Sequence, residues 1–172
     1  VGNAGLLLGP SGRTDQALIG EIVAYNRLND RSRLCEKVVH TRQGTDLRFV
    51  ATQPAIVFCP LAPDVAGVPD QPTYPEAVVI AWLLGGRSAT LALDNDALKA
   101  VVPDPIQRVM HVQYPGATTP VNRGEYVSQM NVQTVLETST GPQTFQWNMV
   151  ELRPNETERT SRWRIASVQK SG

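Results

Sequence analysis

A chain of 172 residues, 41% hydrophobic and 19% charged, has the make-up of a folded protein long enough to bury a core. Sixteen basic residues balance sixteen acidic ones with no basic block, and aromatics are only 6%, which argues against a nucleic-acid groove or a base-stacking platform. Two cysteines, Cys35 and Cys59, are too few for a disulfide framework; one bridge in an oxidising compartment and two buried thiols both fit.

Residues 1–9 (VGNAGLLLG) are apolar but too short to span a bilayer, and they lack the charged leader of a secretory signal. Residues 1–13 are expected to be a flexible arm or the end of a membrane anchor, and residues 14–172 a single domain. Thr14 and Asp15 offer a helix cap, and no proline interrupts residues 17–39. Leu18, Ile19, Ile22, Val23 and Tyr25, then Leu34, Cys35, Val38 and Val39, fit one helical face. The reading is one long helix, kinked or split near Asn29, where Asn and Asp compete with the helix backbone.

Residues 47–59 are β-branched and aromatic but broken by Pro54, so they predict one or two short edge strands. Five prolines between Pro60 and Pro75 mark a loop that covers a pocket, meets a partner, or simply drapes over the surface. Thr73 and Glu76 have the spacing of a capping box, with Pro75 in the first turn. The run AVVIAWLL (77–84) then reads as a short buried helix, although its β-branched residues also suit a strand. Asp94 predicts a cap for another short helix through Val102, stopped by Pro103 and Pro105.

A strand follows at 106–114, with Val109, His111 and Gln113 on one side and Met110, Val112 and Tyr114 on the other. Residues 116–124 read as a polar turn. From 125 to 170 three runs alternate apolar and polar residues. Tyr126, Met130, Val132 and Leu136 oppose Gln129, Asn131, Gln133 and Glu137; Phe145, Trp147 and Met149 oppose Gln146 and Asn148; Trp163 and Ile165 oppose Arg162 and Arg164. The expected architecture is α+β, a long N-terminal helix packed on a curved, mainly antiparallel C-terminal sheet.

That element order, from Asp15 to Val168, resembles the nuclear-transport-factor-like superfamily, the cystatin-like α+β roll. The closing Trp163-Arg164-Ile165-Ala166-Ser167-Val168 is similar to that family's usual ending. The resemblance implies either a small pocket enzyme, such as an isomerase or dehydratase, or a non-enzymatic assembly domain. The apolar start at Ala4-Gly5-Leu6-Leu7-Leu8 is similar to the membrane-tethered periplasmic bridging subunits of type IV secretion and conjugation machines.

Signals for chemistry are sparse. His40, His111, Cys35 and Cys59 lack the paired spacing of a zinc site, and Asp94-Asn95-Asp96 lacks the glycine and glutamate of a calcium loop. No P-loop and no G-x-S-x-G setting is present. Asn155-Glu156-Thr157 is a glycosylation acceptor only on a eukaryotic secretory route. If a pocket exists, Tyr25, His111, Tyr114 and Trp147 are the candidates to line it. The uncharged amides Gln129, Asn131, Gln133, Gln146 and Asn148 suit a wet protein contact, or an ordinary exposed sheet face. Weak edge protection in this part of the chain also makes pairing with another subunit plausible.

The preferred expectation is therefore an assembly domain whose partners are other protein subunits or itself. It has no catalytic residue, no metal and no cofactor, does not bind nucleic acid, and meets a membrane only through an anchor upstream of Val1. In its narrowest form it is a periplasmic secretion or conjugation component. The rivals are the pocket enzyme and a β-sandwich shell protein of viral or other origin. The shell protein requires residues 77–84 and 88–93 to be strands.

Overall fold

The computed structural model describes residues 5–8, 20–29, 31–44, 48–60, 72–113, 116–153 and 162–172. The chain divides into two compact units, Val1–Cys59 and Pro60–Gly172.

In the N-terminal unit the described part of the stretch expected to be a helix is instead a β-hairpin, while Thr14, Asp15, Leu18 and Ile19 lie outside the described residues. Strands β2 (Glu21–Arg27) and β3 (Leu34–Arg42) pair antiparallel, with Val23 opposite Val39 and Tyr25 opposite Lys37. The residues that mimicked a helical face, Ile22, Val23, Tyr25, Val38 and Val39, are β-branched or aromatic and suit a pleated surface better. Asn29 is where the chain reverses. Its side-chain oxygen accepts from the backbone N–H of Arg31 (3.1 Å) and Ser32 (2.8 Å), and Leu28 N–H donates to Leu34 C=O (2.9 Å) across the turn. Arg33 completes the reversal with φ of 58°, a left-handed backbone that no α-helix interior contains.

Strand β3 organises this sheet. Its far side pairs with β5 (Ala55–Phe58) along its first half and with β4 (Phe49–Ala51) along its second. Between them Thr52 maintains the ladder, donating its N–H to Val39 C=O and accepting Val39 N–H on its hydroxyl, while Pro54 falls in the gap. Strand β1 (Gly5–Leu8) adds to β2, giving the order β1-β2-β3-β4 with β5 also on β3. Cys35 and Cys59 are joined in a disulfide that fastens β3 to the residue following β5.

The C-terminal unit is a five-stranded antiparallel sheet. Its order is β10 (Trp163–Ser171), β9 (Gly141–Leu152), β8 (Tyr126–Thr138), β6 (Arg108–Gln113), with β7 (Thr119–Arg123) also on β8. Part of the segment read as a polar turn is thus the short strand β7. The β8–β9 turn uses Ser139-Thr140, and Gly141 supplies the positive φ of 103°. Thr138 Oγ1 accepts Thr140 N–H and donates to Gly141 C=O, closing the turn.

Two helices cover the inner face of that sheet. Helix α1 (Pro75–Leu84) contacts β6, β8 and β10, and α2 (Asn95–Val101) contacts β10. Every residue of α1 from Pro75 to Leu83 is buried, as the apolar run from Ala77 onward requires, and Glu76 in the first turn is buried with them. Thr73 is not its cap: Tyr74 holds that position with no side-chain hydrogen bond, and Pro75 begins the helix. Gly86, at φ of 79°, and the bond from Arg87 N–H to Trp82 C=O (3.0 Å) end it in a Schellman-type turn. Asp94 does cap α2, accepting Ala97 N–H at 3.0 Å.

Trp82 and Trp147 meet edge to face at 5.7 Å, and Phe145 lies 6.4 Å from Trp147. Both indole N–H groups are satisfied, Trp82 on Asn95 Oδ1 (2.8 Å) and Trp147 on Thr134 Oγ1 (2.9 Å). At about 1.5–3 kcal/mol per fully buried large apolar side chain, this layer drives the folding of the unit. The described architecture is therefore two antiparallel sheets with two short α-helices, which overturns the expected α+β roll. With the long first helix goes the element order on which the family resemblance stood. The helical α1 and the 3-10 turn at Ala89–Leu91 also deny the shell-protein rival the strands it required.

Candidate functional site

A sheet whose inner face is packed with helices presents its other face as the natural working surface. On β8 and β9 the alternation puts Met130, Val132, Leu136, Phe145, Trp147 and Met149 in the core and sends the residues between them outward. The five amides singled out in the sequence are brought together there. Asn131 sits opposite Asn148, Gln133 opposite Gln146, and Gln129 on the same face opposite Val150.

The register extends this patch beyond what the sequence indicates. Gln113 of β6 faces Gln133, and Gln169 of β10 faces Gln146. Four glutamines, 113, 133, 146 and 169, thus form one row across four adjacent strands. Beside it runs a second polar row, Asn131, Asn148 and Ser167, and a third of His111, Val135, Thr144 and Ser171. Gln113, Asn131, Gln169 and His111 are exposed, and the central members are half-buried. Among the described side chains of this face charge enters at the margins, in the Arg108–Glu137 ion pair and at Arg164. A carboxamide offers two donors and an acceptor oxygen, so such a face has hydrogen-bonding capacity without a charge sign.

Two β-bulges explain why the full row was not legible. One between Val109 and His111 puts both Val109 and Val112 in the core and turns His111 and Gln113 outward. Another between Ile165 and Ser167 buries both Ile165 and Val168 and leaves Ser167, Gln169 and Ser171 on the outside. Strict alternation through either strand gives the wrong face.

The sheet edges are guarded, contrary to expectation. The outer side of β10 is met near its start by Ala92 and Leu93, whose N–H donates to Ile165 C=O at 2.9 Å, and its end carries the exposed Lys170. Strand β6 is bulged, and β7 carries both a bulge and Pro120. Each of these devices discourages strand addition.

Of the pocket candidates, Trp147 and His111 lie on opposite faces of the C-terminal sheet. Trp147 is fully buried on the inner face of the C-terminal sheet, whereas His111 is exposed on the outer face. Tyr25 belongs to β2 of the N-terminal unit, and Tyr114 lies outside the described residues, as do most of the proline-rich loop and the Asn155-Glu156-Thr157 triplet. An open cleft of about 530 Å³ does exist, lined by Leu83, Leu84, Gly86, Arg87, Lys99 and Asp104. Its main cation is engaged structurally. Arg87 donates to the carbonyls of Val102 (2.9 Å) and Pro103, pairs with Asp104 at 3.6 Å, and lies 5.2 Å over the Trp82 ring.

At the start of β8 the Tyr126 phenol is held above its ordinary pKa, first by desolvation and then by the hydrogen bond and negative charge of Glu125. Among the described residues no group of three or more His, Cys, Asp or Glu stands together as a metal site. No described helix is long and apolar enough to cross a membrane. No protein family, curated protein or solved structure matches this chain.

Proposed function

We propose that this chain is a non-enzymatic assembly domain that associates with a second copy of itself through the outer face of the C-terminal sheet. The row of four glutamines across β6, β8, β9 and β10 carries the reading. A charge-free amide surface gives a foreign partner no field to select. It is complementary to itself, because each amide both donates and accepts, and a two-fold axis would set the same patch against its copy.

The dimensions agree with a reversible dimer. Four strands at about 4.8 Å spacing and nine residues at about 3.4 Å rise give a face of roughly 500 Å² per copy. Two copies would bury roughly 1,000 Å², at the small end of specific interfaces, so the association is weak and wet. The guarded edges favour this face-to-face mode over strand addition. The disulfide between Cys35 and Cys59 supports a compartment where such bonds persist, such as the periplasm or the cell exterior.

Sedimentation velocity over a range of concentrations tests the proposal. The wild-type chain is expected to shift toward dimer as concentration rises. Gln113→Lys combined with Gln146→Lys, which puts like charges on the patch two strands apart, is expected to stay monomeric with an unchanged thermal melt. A wild-type chain that remains monomeric throughout, or a double variant that dimerises equally well, removes the reading.

A further inference from the structure

The N-terminal sheet has little of its own to hold it together. Among its described residues the buried apolar side chains are Leu34, Cys35 and Ile56, and one of these is half of the disulfide. All its other strands reach the sheet through β2 or β3, and the edge strands β4 and β5 are three and four residues long. Such short strands are marginal without a covered face. The bridge between Cys35 and Cys59, at a sequence separation of 24, closes a loop that contains both of them.

The two sulfurs are also differently placed. Cys35 is buried at 3% exposure, whereas Cys59 is half-buried. We infer that the Cys35–Cys59 disulfide is a thiol–disulfide exchange site, attacked at Cys59 by a dithiol reductant, and that its reduction releases the order of the N-terminal sheet. In the first step a reductant thiolate bonds to Cys59 Sγ, the S–S bond breaks, and its electron pair leaves on Cys35 Sγ, which takes up a proton. The reductant's second thiol, losing its proton, then attacks its own sulfur in the mixed disulfide. That closes the reductant's disulfide and expels Cys59 as the second thiolate, which is protonated in turn. Two electrons pass from the dithiol to the protein. The C-terminal sheet holds no cysteine and has its own packed core, so it serves as the internal control. Nothing in this depends on self-association.

The test is hydrogen exchange on the intact oxidised chain with and without dithiothreitol, with alkylation and mass measurement to count free thiols. Reduction is expected to speed exchange in β3, β4 and β5 by roughly a hundredfold while β8 and β9 stay protected. A monothiol such as glutathione is expected to leave its adduct on Cys59. The Cys35→Ala, Cys59→Ala chain is expected to show the fast pattern with no reductant present. Two alkylated thiols with β3 to β5 still protected, an adduct on Cys35, a bridge that dithiothreitol cannot open in the folded chain, or a protected double variant would each overturn the inference.

Discussion

The two units of this chain solve the same problem by different means. The C-terminal unit buries twenty-one apolar side chains among its described residues, three tryptophans included, and closes its inner face with helices drawn from its own sequence. The N-terminal unit buries three among its own described residues and carries a covalent tie. A sheet stabilises itself by covering at least one face, and a short sheet that does not must take its stability from elsewhere. The contrast teaches that strand content is a poor guide to robustness; what matters is whether the sequence also supplies the second layer.

Substitutions break the contrast in a definite order. Trp147→Ala removes the ring that joins Trp82, Phe145 and Thr134, and is expected to cost about 3–5 kcal/mol in urea unfolding of the C-terminal unit. Replacing both cysteines with alanine is expected to cost the N-terminal unit about 3 kcal/mol, the chain-entropy value for a separation of 24 residues. Hydrogen exchange across β3 and β5 reads that loss.

Arg87→Ala leaves the Val102 and Pro103 carbonyls without their donor and uncovers the Trp82 ring. About 1–3 kcal/mol is expected, and Arg87→Lys should recover only part of it, because an ammonium cannot reproduce the guanidinium fork. Asp94→Ala opens the α2 cap for about 1 kcal/mol, measurable as a small fall in the thermal midpoint. Gln146→Lys on the outer face sits at the bottom of the series: within about 0.5 kcal/mol in stability, with its effect appearing in association alone.

What the sequence revealed follows the same division. The meander is legible because β9, and β8 from Ser128 onward, alternate without interruption, with large side chains such as Phe145, Trp147 and Met149 marking the inner phase; only Tyr126, beyond a bulge, falls out of the phase of Met130 and Val132. Helix α2 was legible because Asp94 and the following prolines bracket it. Helix α1 was readable in kind but not in its cap, since Thr73 has the right spacing and the wrong geometry. The N-terminal hairpin is not legible because Ile22, Val23, Leu34, Cys35, Val38 and Val39 satisfy a helical and a strand pattern alike. The deciding signals are the β-branched pairs and the turn at Asn29, whose side chain ties down a reversal where a kinked or split helix is expected. In the candidate site, five amides could be read directly. Gln113 and Gln169 could not, because each lies beyond a bulge that advances the alternation by one residue.

The central claim is that one sheet is held by packing and the other by a disulfide. Native-state hydrogen exchange on the oxidised, unmodified chain tests it most directly. The slowest amides are expected in α1, β8 and β9, with β2 to β5 exchanging faster than these by orders of magnitude and the slowest positions of the N-terminal unit in β3 and β5 beside the disulfide. Protection in β2 and β4 equal to that of β8 and β9 would contradict the account, for it would mean that the N-terminal sheet has a stabilising layer of its own.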